Sequence, residues 1–281
     1  MDIFKNSISL APNINLGGNK MILIAGPCVV ESYELCLEVA SIMKQICEEL
    51  DVSYIFKASY DKANRTSSNS FRSLGMETGL EILKRIGEEL KLPLITDVLV
   101  SEQVEEVALV VDVLQIAAFL CRQTVLFLAA GNSGKAVNIK RGQFMAPEDM
   151  KYAIEKIKST GNENACLTER GVSFGYHNLV VDMRSLPIMR QFSPVIFDVT
   201  HSVQQPGGAG GTSGGQRQFA PYLARGAAAV GVDGFFVETH PKPSAALSDG
   251  PNMIPLNEMK SFVEMIKESW LLGRKFTNLL N

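Results

Sequence analysis

Residues 21–58 read MILIAGPCVVESYELCLEVASIMKQICEELDVSYIFKA, and this stretch decides the fold. Two short apolar runs, Met21–Ala25 and Tyr54–Ala58, flank a longer helical pattern, Ser32–Leu50. Both runs are continuously apolar rather than alternating, as strands buried on both faces should be, so the stretch is a β-α-β unit of parallel sheet. Outward from it the same alternation runs to the end of the chain. Further runs are Leu92–Asp97, Val111–Ile116, Ala136–Ile139, Ala165–Thr168, Pro194–Val199 and Gly234–Glu238. Helical patterns occupy Gly79–Leu90, Ser101–Ala108, Ala146–Ser159, Gln216–Val230 and Leu256–Leu271. Ser101 ahead of Val104 and Glu105 has the form of a capped start, and Pro147-Glu148-Asp149 that of a first helical turn. Eight β-then-α units favour a closed (β/α)₈ TIM barrel over a doubly wound sheet. The expectation is one domain, residues 1–281. Residues 1–20 form an extension whose turn signals, Pro12-Asn13 and Gly17-Gly18, predict a small hairpin closing the bottom of the barrel.

Composition narrows the function. The net charge is −3 and no basic stretch is interleaved with aromatics, which argues against nucleic acid as a partner and leaves small molecules. Five cysteines (28, 36, 47, 121, 166), an odd number without close pairing, fit a reducing compartment and hence the cytoplasm. Met21–Val30 is apolar and holds a Cys, but polar-mixed residues precede it. Pro27 also stands where a lipoprotein signal needs a small non-Pro residue. The richest apolar stretch, 107–131, is broken by Asp112, Gln115, Arg122 and Gln123, so no membrane span is expected.

A barrel does its chemistry where strands end and loops begin at the C-terminal rim. Reactive residue types collect there after all eight runs. Lys57, Lys62, Arg65, Lys140 and Arg170 follow strands two, five and six. Five convergent cations in a chain of net charge −3 repel one another unless anions bind among them, and phosphates and carboxylates are the natural partners. The bland alternative is pairing with Asp97, Glu169 and solvent. Cys28, His201, Glu238 and Asp249 match no zinc-finger spacing, and only barrel closure could bring them together. As a set they offer one thiolate, one imidazole and two carboxylates, suited to a borderline divalent ion. The Gly-rich segment Pro206–Gly215 would be a flexible linker in isolation; between strand seven and its helix it is expected to be a lid. Gly131–Lys135 (GNSGK) lacks the Walker spacing and is no nucleotide loop.

Several segments together resemble 3-deoxy-manno-octulosonate 8-phosphate synthases. They are IAGPCVVES (24–32), FKASYDKANRTS (56–67), LQIAAFLCRQT (114–124), VNIKRGQF (137–144), LTERGVSFGYHNLVVDMR (167–184), FDVTHSVQQPGG (197–208) and VETHPKPSAALSDGPN (237–252). The alternative is the related 3-deoxy-arabino-heptulosonate 7-phosphate synthases, which carry Lys-Pro-Arg-Thr or Arg-Pro-Arg-Thr where this chain has Lys62-Ala63-Asn64-Arg65. The resemblance implies condensation of phosphoenolpyruvate with arabinose 5-phosphate and water, with release of phosphate. It implies catalytic roles for Lys57, Lys62, Asp97 and His201. Phosphoenolpyruvate would be bound by Lys57, Lys62, Gln115, Lys140 and Arg170. Arabinose 5-phosphate would be bound by Asn64, Arg65 and Thr66, with Arg65 and Thr66 reaching across a subunit boundary of a homotetramer. Cys28, His201, Glu238 and Asp249 would hold one divalent ion per subunit (Fe²⁺, Mn²⁺, Co²⁺ or Zn²⁺), and Pro27-Cys28 is the mark of the metal-dependent class. Three departures stand out: Ala117 for a usual Pro, Val125 for a usual Asp, and Thr66 for a usual Ser.

Overall fold

A computed structural model describes residues 7–64, 71–208 and 213–275. Eight parallel strands form its centre: β1 Ile22–Gly26, β2 Ser53–Lys57, β3 Leu94–Val98, β4 Val113–Ile116, β5 Ala136–Lys140, β6 Ala165–Glu169, β7 Val195–Asp198 and β8 Gly234–His240. Each pairs with the next, and β8 pairs in parallel with β1, Ile22 opposite Gly234, so the sheet closes on itself. The expected strands are all present, each end within two residues.

A helix follows every strand: α1 Tyr33–Glu49, α2 Met76–Leu90, α3 Val104–Ala108, α4 Thr124–Asn132, α5 Met150–Lys158, α6 Ser185–Arg190, α7 Ala220–Val230 and α8 Met259–Lys275. In α1 the Ser32 side chain caps the first turn by accepting from the Leu35 N–H at 3.1 Å. Its buried stripe, Cys36, Val39, Ala40, Met43, Ile46 and Cys47, has the spacing of one helix face laid on the barrel. The thiols of Cys36 and Cys47 therefore pack in the core, as do those of Cys121 and Cys166.

Some local expectations need correcting. Helices α4 and α6 escape the sequence pattern: α4 (TVLFLAAGN) has no polar stripe, and α6 has six residues with Pro187 inside. Pro147-Glu148-Asp149 is a turn ahead of α5 rather than its first turn. Ser101 caps nothing; its hydroxyl donates to Glu102.

The inward and outward faces differ along each strand. Outward residues such as Leu23, Phe56, Leu114, Val137 and Val237 meet the helices. Inward residues low in the barrel, Ile22, Ile24, Ile55, Ile95, Val113, Ala136, Cys166, Ile196 and Phe236, make a separate apolar cluster with Leu10 and Leu16. Those two leucines come from the predicted N-terminal hairpin, Ile8–Ala11 paired antiparallel with Ile14–Leu16, which seals the bottom. Two residues further along, the same inward face turns polar: Lys57, Asp97, Gln115, Asn138, Thr168, Asp198 and Glu238, all buried.

Candidate active site

Above the apolar layer lies a cleft of about 220 Å³ whose lining includes Lys57, Lys62, Asp97, Gln115, Lys140 and Arg170, together with His201, Glu238 and Asp249. Beneath two of these cations lies the Phe236 ring of the apolar layer, its centroid 3.6 Å from Lys140 Nζ and 5.4 Å from Lys57 Nζ.

Of the five cations expected to face anions, Arg65 lies outside the described residues, and three of the other four already hold carboxylates. Lys57 Nζ donates to Glu238 Oε1 and to the Cys28 carbonyl, both at 2.8 Å. Lys140 Nζ donates to Asp198 Oδ2 at 2.7 Å. Lys62 Nζ donates to Ser59 Oγ at 2.8 Å and stands 3.8 Å from Asp97 Oδ2. Arg170 differs: Nη2 donates to Gln204 Oε1 at 2.9 Å, while buried Nη1 has no hydrogen-bond partner. A buried guanidinium N–H without an acceptor is costly unless a ligand supplies one. Arg141, next to Lys140, turns away from the cleft to Glu169 at 2.6 Å.

The electrostatics are those of a tightly coupled polar layer. Burial works against an ionised Asp97, yet Lys62, Lys57 and Lys140 bring its pKa down to about 2. Burial likewise opposes charge on Asp198 and Glu238, but His201 and Lys140 for the first, and Lys57 and His201 for the second, hold both below the carboxylate range. Burial lowers Lys140 and Arg170, with Asp198 pulling the other way in each case. Burial also opposes charge on Lys62, but Cys28, Asp97, Glu238 and Asp249 together hold it above the usual lysine range.

The proposed metal ligands converge from β1, β7, β8 and the loop after β8. Ligand atoms of Cys28, Glu238 and Asp249 all lie within 4.8 Å of one another. His201 Nε2 is 3.9 Å from both Glu238 Oε1 and Asp249 Oδ2. Gly26 lets β1 approach β2 just before this loop, since a Cβ there would lie 2.0 Å from the Lys57 carbonyl oxygen. Asp249 takes a left-handed backbone, φ 51°, and Gly250 after it passes so close to Pro243 that a Cβ would lie 2.1 Å from the carbonyl oxygen. The Cys28 thiol donates to Ser248 Oγ and Asp249 Oδ2 at 3.0 and 3.2 Å. Burial, with Glu238 and Asp249 nearby, pushes it up to about 12, while buried Glu238 Oε2 has no hydrogen-bond partner. A divalent cation among these groups would relieve the carboxylate repulsion, ionise the thiol and give Oε2 a partner, so the residues fit such an ion.

Asp198, inside the seventh apolar run, has a role that only the structure shows. Its carboxylate sits 2.9 Å from His201 Nδ1, fixing the ring so that Nε2 faces Glu238 and Asp249. The i, i+3 spacing of these two residues across the turn after β7 was the available signal. Asn64 is exposed and lines the cleft, whereas Arg65 and Thr66 lie outside the described residues. Of the expected lid, Pro206–Gly215, the end Gly214–Gly215 pairs with Gln204–Gln205 just before it, and Pro206, Gly207 and Ser213 line the cleft; residues 209–212 lie outside the described set. Ala117 has φ −63° and ψ 151°, values proline itself adopts, so its backbone takes that shape without the ring. Val125, in the first turn of α4, is exposed and touches none of this.

The family model for the DAHP synthetase I family matches residues 5–272. This chain belongs to that family. It is also 54% identical over 261 residues to a protein of Cyanothece sp. named 2-dehydro-3-deoxyphosphooctonate aldolase, covering 92% of this chain and 96% of that one. Relatives of the same name from Trichlorobacter lovleyi and Francisella philomiragia are 56% and 52% identical. They cover 89% and 91% of this chain, and 93% and 94% of their own lengths.

Proposed function

We propose that this protein condenses phosphoenolpyruvate with arabinose 5-phosphate and water, giving 3-deoxy-manno-octulosonate 8-phosphate and inorganic phosphate. The observation that carries the reading is the 54% identity, over 92% of the chain, to a 2-dehydro-3-deoxyphosphooctonate aldolase. The Lys62-Ala63-Asn64-Arg65 segment favours arabinose 5-phosphate over the erythrose 4-phosphate of the heptulosonate synthases.

Two anionic substrates must be held with their reacting carbons about 3–3.5 Å apart, which only a preorganised cationic surface permits. Arg170 Nη1 and the Lys140 ammonium would take the phosphoenolpyruvate phosphate, with Lys57, Lys62 and Gln115 alongside. Asn64, with Arg65 and Thr66, would take the pentose phosphate, the latter two across a subunit boundary of a homotetramer. Carbon 3 of the enol attacks the aldehyde carbon, water adds at carbon 2, and the phosphate leaves by C–O cleavage. Lys62 is held protonated beside Asp97 and can deliver a proton to oxygen developing negative charge. His201, oriented by Asp198, can hold a proton or a ligand at Nε2. Cys28, His201, Glu238 and Asp249 would hold a divalent ion (Fe²⁺, Mn²⁺, Co²⁺ or Zn²⁺), which when bound would polarise the sugar carbonyl or the reacting water. Five free cysteines support a reducing, cytoplasmic setting, and no helix among the described residues is long and apolar enough to cross a membrane.

Phosphate release in the presence of each aldose phosphate tests the reading. Arabinose 5-phosphate should exceed erythrose 4-phosphate in kcat/KM by at least about a hundredfold, because a shorter sugar leaves polar groups unpaired. Equal turnover would overturn it. A chelator should abolish activity and a divalent ion restore it; full activity in chelator would leave Cys28 a buried thiol.

A further inference from the structure

Six residues at the top of the barrel make one chain of hydrogen bonds directed at Asp97, and the cleft touches only part of it. Thr168 Oγ1 donates to Asn138 Oδ1 at 2.6 Å, with Cys166 Sγ at 3.5 Å on the same oxygen. Asn138 Nδ2 donates to Gln115 Oε1 at 3.0 Å, and Gln115 Nε2 donates to Asp97 Oδ1 at 2.7 Å. From the other side Ser59 Oγ donates to Asp97 Oδ2 and accepts from Lys62 Nζ. Gln115, Asn138, Thr168 and Ser59 are all buried to within 1% of complete. Asn138, Thr168 and Ser59 do not line the cleft; Gln115, Asp97 and Lys62 do.

The direction of this chain follows from donor counting. An ionised Asp97 can only accept, so Gln115 must turn its NH₂ toward Asp97 and its oxygen toward Asn138. Asn138 must then present its NH₂ to Gln115, and its own oxygen needs the Thr168 hydroxyl. Burial pushes the Cys166 thiol up, so it too stays a donor. Any amide turned the wrong way would set two buried acceptors face to face. Gln115 therefore has one N–H committed to Asp97 and only the other left for the cleft.

We infer that Asn138 is a positioning residue: it fixes the amide of Gln115, and through it the Asp97 carboxylate that holds Ser59 and Lys62. The inference rests on the proposed reaction only for its kinetic readout. The groups around it are Gln115 from β4 and Thr168 with Cys166 from β6. Asp97 faces Ser59 and the ammonium groups of Lys62, Lys57 and Lys140.

Asn138→Asp is the decisive variant. A protonated Asp at this position still donates to Gln115; an ionised one repels Gln115 Oε1 and turns the amide, removing the donor from Asp97. The variant should gain a basic-side fall of about ten- to hundredfold in kcat/KM for phosphoenolpyruvate that the wild type lacks, as expected when a hydrogen bond to a charged group is lost. Thr168→Val should raise KM for phosphoenolpyruvate about three- to tenfold with kcat less affected, while Thr168→Ser, which keeps the donor, should restore wild-type behaviour. Side-chain amide hydrogen exchange of Gln115, read without substrate, should be slow in wild type and Thr168→Ser and faster in Thr168→Val. An unchanged pH profile in Asn138→Asp, or identical exchange in the two Thr168 variants, overturns the ladder. Should Asn138→Asp not fold, the Thr168 pair decides alone. No turnover by the wild type would overturn the reaction instead, and the exchange experiment would still test the ladder.

Discussion

The same eight strands build two opposite environments two residues apart. Ile55 and Lys57 share the inward face of β2, as do Ile95 and Asp97 on β3, Ile196 and Asp198 on β7, and Phe236 and Glu238 on β8. The lower member of each pair packs in a hydrocarbon plug sealed by Leu10 and Leu16; the upper one is an equally buried polar or charged group. The plug is stabilised by area removed from water and is indifferent to charge. The upper layer has little apolar area, and its charges are tolerable only because each finds a partner across the barrel: Lys57 with Glu238, Lys140 with Asp198, Lys62 near Asp97. One layer holds the fold at any pH and the other is held for chemistry. A substitution in the plug should therefore move stability alone, and loss of the cation left open for an anion should move catalysis alone. A paired carboxylate of the upper layer should show in stability only where it is ionised.

The largest effect is expected at Arg170, which lines the cleft and leaves a buried N–H without a hydrogen-bond partner. Arg170→Ala should lower kcat/KM for phosphoenolpyruvate by roughly two to four orders of magnitude, about 3–5 kcal/mol of lost charged contact. The melting temperature should hold or rise, since a buried guanidinium without a full set of acceptors is removed. Near-normal kinetics would put the phosphate elsewhere and break the division between layers.

Ile55→Ala is the reciprocal test. The side chain is fully buried in the plug, and its loss should cost about 2–5 kcal/mol in chemical unfolding. Protein that remains folded should keep its kcat/KM, because the plug residue that meets the ammonium groups is Phe236 and not Ile55. A matching fall in kcat/KM would show that the polar layer shifts with the plug.

The two layers also differed in how legible they were. The plug and the outer core make each strand a continuous apolar run, which is why all eight strands could be placed from residue types alone. Rim cations and carboxylates stood out because they end those runs. Their partners did not, because Lys57 meets Glu238 from strands far apart in sequence, and only closure and register create that pair. Asn138 was missed because it lies inside an apolar run, AVNIK. Its place midway between inward-facing Ala136 and Lys140 was a period-two signal that the length of the run concealed. Helix α4 failed for the converse reason, being too uniformly apolar to show a period.

The last prediction separates the layers by pH. The folded pKa of Asp97, about 2, lies below its ordinary 3.8, so the folded state favours the ionised form. A carboxylate depressed in this way contributes stability that is fully present above the unfolded pKa and is lost as pH falls through the folded one. Asp97→Asn removes that contribution, so the wild type should exceed the variant by about 2 kcal/mol at neutral pH, and the gap should close between pH 3.8 and about 2. The gap between wild type and Ile55→Ala should stay constant over the same range, because the plug holds no carboxylate, lysine, arginine or histidine. Urea unfolding of the three proteins across that interval supplies both curves. A pH-independent gap for Asp97→Asn would mean that the lysines around it do no more than fill space. The upper layer would then serve packing alone, as the apolar plug below it does, rather than being a preorganised field for anions.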